Sequence, residues 1–405
     1  MSDLAGGAHA PDIADVAIVG AGPAGSWTAF SLARRGARVA LFDGSHPREK
    51  PCGGGVTGRA LSLVSDALPC SALPSVAITS ARFLDTLRAR ECTVPLSTTS
   101  PAALVVASRR VLDAWLLDAA RAAGAEFIPR RVVRIERAAA HFRLETSSGL
   151  FRARWLVGAD GATSLVRRTF ASPFRRDQLS VASGFYAPLH GEWPSAEIAL
   201  ELLTDLPGYL WSFPRPDHVA VGICAPAESG VAAATLRARA AQWLRAHHLA
   251  DRGQLAPYGW PIPTPSAPDL AAPPLGGTGW LLIGDAAGLV DPITREGIFF
   301  ALQSATFAAR AIASGNPTQY EADVQTHILP ELRRAARLKA GFFRPQFTRL
   351  VMDALERSAA IRGVMADLIA GVQPYRGLKR RLAATLEWRL AGQLALVGLL
   401  GNNRP

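Results

Sequence analysis

The first clear pattern along the chain is the apolar run Asp15 to Val19 (DVAIV), which is rich in β-branched residues and ends at a glycine cluster. Such a run reads as a strand buried on both faces. GAGPAG follows, Ser26 to Arg35 continues as a helix, and Gly36 stops it. Arg38 to Phe42 (RVALF) is a second strand with Asp43 at its tip. Two further buried strands are predicted at Ala153 to Asp160 (ARWLVGAD) and Gly279 to Gly284 (GWLLIG), ending at Asp160-Gly161 and Asp285. Between them, Gly184 to Leu189, Glu197 to Leu203 and Val219 to Cys224 have strand character. In Gly208 to Pro214 (GYLWSFP), period-two alternation puts Tyr209, Trp211 and Phe213 on one face. Ala233 to His247 reads as a helix, and proline-rich Pro257 to Pro274 as an extended return loop. A helix starts near Gly297, and residues 331–405 are helical in pattern and basic. No internal repeat is present.

The first strand–turn–helix–strand unit is a dinucleotide fingerprint in its required context. Gly20 makes the tight turn, Gly22 lets backbone approach a pyrophosphate, and Gly25 lets helix and strand pack closely. Ala24 lies in the same turn. The helix N-terminus offers free N–H groups to phosphate, and Asp43 accepts hydrogen bonds from an adenosine ribose. This unit alone leaves NAD and FAD open.

Composition narrows the class. The chain has 405 residues, 49% of them apolar, which suits two or three domains sharing a core. No run of about 18 uncharged apolar residues occurs, so no transmembrane helix is expected. Met1 to Asp12 lacks the basic start and apolar stretch of a signal peptide, and a cytoplasmic location is expected. The net charge of +11 is almost all arginine, the lysines being Lys50, Lys339 and Lys379. The arginines are scattered rather than interleaved with aromatics, which argues against nucleic acid. Amphipathic Tyr375 to Leu390 reads as a helical cap with a solvated basic face, or as a peripheral contact with anionic membrane. Cys52, Cys70, Cys92 and Cys224 form no CxxC pair, so neither a disulfide framework nor a metal site is expected.

GAGPAG, GADG and GDAAGLVDPITREG, in this order, resemble the glutathione-reductase and p-hydroxybenzoate-hydroxylase type of flavoprotein. The resemblance implies FAD. It places Asp285 on the ribityl chain, Asp160 and Gly161 near the pyrophosphate and the NAD(P)H approach, and Arg109 of ASRRVLD against FAD. Gly284, Gly288, Gly297 and Ile298 belong to the same cofactor-contacting segment. KPCGGGVTGRAL together with YxWxFP resembles the geranylgeranyl reductase family, flavoenzymes that saturate carbon–carbon double bonds of isoprenoid chains. That resemblance implies a lipid-like small-molecule substrate and NADPH or NADH as electron donor. It sets Cys52, Gly53 and Gly54 over the flavin, and Gly55, Tyr209, Trp211, Phe213 and Pro292 against the substrate. Lys50 reads as a solvated loop charge. The family has PxTGEGI or PxTGGGI where this chain has Pro292 to Ile298 (PITREGI), so Arg295 replaces a glycine. Cys52, Tyr209, Trp211 and Arg295 are the candidate catalytic residues. The competing reading is an oxygen-using hydroxylase or halogenase acting on an aromatic or polyketide-like molecule.

The expected architecture is α/β: a Rossmann-like FAD-binding domain, an inserted antiparallel-sheet substrate domain and a C-terminal helical region. The FAD-binding pieces are residues 1–80, 101–170 and 276–330. The substrate sheet takes 81–100 and 171–275, and the helical region 331–405.

Overall fold

The computed structural model describes residues 13–99, 101–188, 196–247 and 255–385. Met1 to Asp12, Leu189 and the end of the Tyr375 to Leu390 stretch lie outside the described residues. The fold is mixed α/β, with an eight-stranded, a seven-stranded and a three-stranded sheet.

Ala14–Val19 runs parallel to Val39–Phe42 on one side and to Gly149–Gly158 on the other. Trp280–Leu282 extends the parallel set beyond Gly149–Gly158. Val16 to Val19 and the whole of Val39–Phe42 are buried, because helices cover the sheet. Pro23–Ala33 packs beside Arg109–Ala122 and Ile298–Ala313. The strand expected at Gly279 to Gly284 ends early, at Leu282, and Gly284–Ala287 winds into a short 3₁₀ turn.

The seven-stranded sheet is built on Leu179–Pro188, His218–Pro226, Tyr209–Pro214 and Glu197–Leu202, all antiparallel. Ser80–Asp85 joins Glu197–Leu202 by a parallel pairing and Arg90–Pro95 closes that end. Alternation divides the sheet into two faces. One carries Leu210, Val221 and Ile223 under the helix Ala233–Ala246; the other carries Trp211, Cys224 and Tyr258.

Pro257 to Pro274 was expected to be loop, but its first part is the strand Ala256–Pro263, paired with Leu179–Pro188 at the end of the sheet. An edge strand tolerates proline because half its N–H groups face away from the ladder. The C-terminal part is helical, at Leu329–Phe342, Pro345–Arg357, Ala359–Ile369 and Leu378–Ala384. Val351, Met352, Leu355 and Ile361 pack onto Phe83, Cys92 and Val94. Arg90 fixes the same contact through Asp353 and Glu356, each at 2.7 Å.

Candidate active site

The glycine turn is shaped for a ligand rather than for packing alone. Gly20 has φ +102°, and a Cβ there would lie 2.4 Å from the Ala159 carbonyl oxygen. A Cβ on Gly25 would lie 1.8 Å from the Gly20 oxygen. At Gly22 a Cβ would meet nothing within 4 Å, and the helix it precedes has no side-chain cap. The first N–H groups of Pro23–Ala33 therefore face open space, where a diphosphate fits. Asp43 braces the turn: Oδ2 accepts from Ala21 N at 3.0 Å, and Oδ1 accepts from Ser45 N and Oγ at 2.8 Å each. Ala24 is buried beside Gly284, where a Cβ would stand 3.2 Å from its own.

Gly284 (φ +54°) and Gly288 (φ +76°) take left-handed backbone on either side of Asp285. Lys50 donates to Asp285 Oδ2 at 2.9 Å, so this lysine is an ion-pair partner and not a solvated loop charge. Burial raises the Asp285 pKa, but Lys50 and Arg109 outweigh it and hold the carboxyl below its ordinary value. Gly297 precedes the helix Ile298–Ala313, and a Cβ there would sit 3.1 Å from Asp285 Oδ1. Ile298 is buried in the first turn of that helix. Arg109 spends its fork on Asp113, with Nε at 2.9 Å and Nη2 at 2.8 Å, and both residues are buried. Asp160 Oδ2 accepts from Leu165 N at 2.6 Å and Val166 N at 3.3 Å. Its Oδ1 is buried without a partner, and burial pushes its pKa up. Gly161 (φ +78°) again borders open space. Orphaned Asp160 Oδ1 and the open cradles at Gly22 and Gly161 fit an extended dinucleotide.

A clamp that sequence reasoning missed holds the cysteine–glycine loop. Glu49 accepts from Arg109 N at 2.9 Å and Arg110 N at 3.3 Å, placing a carboxylate at the N-terminus of Arg109–Ala122. Its other partners are Ser108 Oγ and the Arg215 guanidinium. Burial raises the Glu49 pKa, yet Arg215 and these hydrogen bonds together leave it lowered. Arg215 is fully buried, donates to the Cys52 carbonyl at 2.7 Å, and lies 5.1 Å above the Tyr186 ring. Cys52 Sγ accepts a weak hydrogen bond from Gly54 N at 3.3 Å. Gly53 and Gly55 approach the Phe213 ring, where Cβ atoms on them would lie 2.8 and 2.9 Å away. Gly54 (φ +85°) instead meets the Ala107 oxygen, at 2.3 Å from such a Cβ.

The inner face of the seven-stranded sheet is an aromatic floor. Register aligns Tyr209 with Cys224, Ala182 and Trp260 in one row. Trp211, Gly222, Gly184 and Tyr258 form the next, and Phe213, Ala220 and Tyr186 the third. The middle row explains its glycines. A Cβ on Gly222 would lie 2.3 Å from the Trp211 ring and 2.4 Å from Tyr258 Oη. The two rings thus lie down across bare backbone. Tyr186 and Tyr258 stand 4.6 Å apart between centroids. Tyr186 Oη has no hydrogen-bond partner, and burial pushes its pKa up. Tyr209 Oη donates to the Thr294 carbonyl at 2.6 Å, so its proton is already committed. Pro292 is buried in the same loop, just after Asp291. Arg295 has φ +63°, and its Nη2 donates to Ser180 Oγ at 3.0 Å.

The structure thus gathers the cysteine loop, the aromatic strand and the 284–298 segment around one region. Glu49, Tyr186, Arg215 and Tyr258 join them. A separate cavity of about 690 Å³ lies by Gly288, lined by Arg167, Phe174, Gln178, Pro265 and Trp280 among others.

Residues 13–316 match the family described as FAD binding domain. The menaquinone reductase of Mycolicibacterium smegmatis is 29% identical over 426 residues, covering 91% of this chain and 97% of that protein. The chloroplastic geranylgeranyl diphosphate reductase of Oryza sativa subsp. japonica is 29% identical, with 74% of this chain and 66% of that one covered. The crystal structure of a geranylgeranyl bacteriochlorophyll reductase-like protein from Thermoplasma acidophilum shares the fold at a TM-score of 0.75 and 21% identity, covering 92% of this chain and 99% of that one. With the glycine turn, the Asp285 segment and the aromatic strand in place, the chain belongs to the FAD-binding family and is an FAD-dependent oxidoreductase similar to the menaquinone and geranylgeranyl diphosphate reductases.

Proposed function

We propose that this protein reduces carbon–carbon double bonds in an isoprenoid or other lipid-like substrate, with NADPH or NADH as electron donor. The observation that carries the reading is the aromatic floor, where Trp211 and Tyr258 lie flat over Gly184 and Gly222. A flat apolar surface of this kind takes an unsaturated chain lengthwise and excludes water from it. The names of the two reductase relatives support the same class of substrate.

FAD, when bound, supplies two-electron hydride chemistry. The turn at Gly20 to Gly25 and the Asp160 and Asp285 carboxylates would hold it. The Glu49–Arg215 clamp keeps the cysteine loop against Phe213 and so fixes one wall of the site. Tyr186 keeps its proton at neutral pH and has no competing acceptor, whereas Tyr209 and Tyr258 donate to the Thr294 and Val221 carbonyls, which makes the Tyr186 Oη the uncommitted proton source of the floor. The cavity beside Gly288, with Arg167 in its wall, is the place for the donor.

The test is product analysis under argon with NADPH, FAD-loaded protein and a panel of polyprenyl compounds. The expected product gains two hydrogens per double bond and forms without O₂. A hydroxylated or halogenated product that appears only in air would overturn the reading. Tyr186→Phe is expected to lower kcat about 100-fold with little change in KM, as measured by steady-state kinetics. An unchanged kcat would remove Tyr186 from the proton path.

A further inference from the structure

Two arginines stand at opposite ends of the floor, Arg215 fully buried and Arg295 half-buried, and they differ in their partners. Arg215 is neutralised by Glu49. Arg295 has the Ser180 hydroxyl on Nη2 and the neutral Cys224 thiol beside it, while its Nε and Nη1 are buried with no hydrogen-bond partner and no carboxylate faces them. A guanidinium stays charged in any protein environment, and a buried charge without a counter-ion is costly. The backbone adds to that cost, because Arg295 holds φ +63° where a long side chain is disfavoured.

A second cation shares the place. Lys339, from Leu329–Phe342, is half-buried, and its pKa is lowered to about 8 by burial and then by the charge of Arg295. Glu228 acts on Lys339 from an exposed position, and the Cys224 thiol lies beside both cations. The Phe343 ring is 5.9 Å from the Arg295 guanidinium and supplies no negative charge. Among the described residues no carboxylate pairs with Arg295 or Lys339.

The sheet register shows where this pair sits. Ser180 precedes Ala182 by two residues, and Ala182 shares its row with Cys224 and Tyr209. The Trp211 row passes through Gly184, four residues along the strand, or about 13 Å at ~3.3 Å per residue. The cations therefore cap one end of the floor.

We infer that Arg295 and Lys339 form an anion-binding end to the aromatic floor, so that the substrate carries a carboxylate or phosphate at one end of an apolar body. This rests on reading the floor as the substrate site, and it adds what the head of the substrate is. The acidic group completes the Arg295 donors, and the apolar body lies along Tyr209, Trp211 and Tyr258. Arg295 stands where the family resemblance has glycine, so this end is a specificity device of this chain.

The experiment is isothermal titration calorimetry on the FAD-loaded full chain with decanoate, decyl phosphate, decanol, acetate and inorganic phosphate. Decanoate and decyl phosphate are expected to bind at least about tenfold more tightly than decanol. Arg295→Gly, which suits the left-handed backbone and so should fold, is expected to erase that preference. Lys339→Met is expected to reduce it. Equal affinities for decanoate and decanol in the parent protein, or a preference untouched by Arg295→Gly, would overturn the inference. So would inorganic phosphate binding as tightly as decyl phosphate, which would assign the pair to a free ion. If the acid preference holds but no double bond is reduced, the anion end stands and the reductase reading falls. If uncharged polyprenols are reduced and acids gain nothing, the reverse is true.

Discussion

Arg215→Leu is expected to destabilise the protein by about 3–5 kcal/mol, because it strands the Glu49 carboxylate in a mostly buried position. The Arg215 side chain is 0% exposed and Glu49 13% exposed, so solvent screens little of their interaction. The damage should concentrate on the loop that Glu49 and the Cys52 carbonyl anchor. Urea titration gives the stability change. Glu49→Leu combined with Arg215→Leu should recover much of the loss, since no charge is then left unpaired. The pair also sets an acid limit. The folded pKa of Glu49 lies below its ordinary value of 4.5. The stabilisation is therefore full above that value and is lost as pH falls through the lower, folded pKa. As pH falls below 4.5 the parent should lose stability more steeply than the double variant. Parallel acid titrations of the two proteins would show the clamp to be unimportant.

Gly22→Asp should separate folding from cofactor binding more cleanly than any other single change. Position 22 has extended backbone (φ −70°, ψ −174°), open space around its Cβ, and an uncapped helix after it. Aspartate is a good N-cap in that geometry, and its charge suits the helix dipole, so the apoprotein should gain about 0.5–1 kcal/mol. The same carboxylate would stand in the turn proposed to hold the FAD diphosphate. At about 5 Å and an effective dielectric of about 20, each phosphate charge is repelled by about 3 kcal/mol. Affinity for FAD should therefore drop by at least about 100-fold. Flavin absorbance of the purified protein and thermal melting of the apoprotein read the two effects separately. A yellow Gly22→Asp protein would remove the diphosphate from this turn.

Much of the fold was legible because its signals are local. The glycine turn, the buried strands and the helix after Gly297 each follow from a short stretch of sequence. Tyr209, Trp211 and Phe213 share a face because strand periodicity is strict. The parts that were not legible depend on register. Tyr186 and Tyr258 join Trp211 only through pairings spanning up to about 75 residues of chain. Arg215 directly follows the aromatic strand and Glu49 directly precedes the cysteine loop, yet nothing in either neighbourhood shows that they meet. Lys50 looked solvated for the same reason, since Asp285 lies 235 residues away. The strand at Ala256–Pro263 was hidden by its prolines, which are strong loop signals except on a sheet edge.

Those prolines have a consequence for how copies of this protein meet. Pro257, Pro261 and Pro263 share the parity of Gly259, so the amide positions turned away from Leu179–Pro188 hold three residues that cannot donate. A strand arriving from another molecule would find Gly259 as the single donor along that border. The exposed rim of the sheet is thus poorly suited to templated pairing, and a crowded solution of the protein should resist strand-mediated aggregation there.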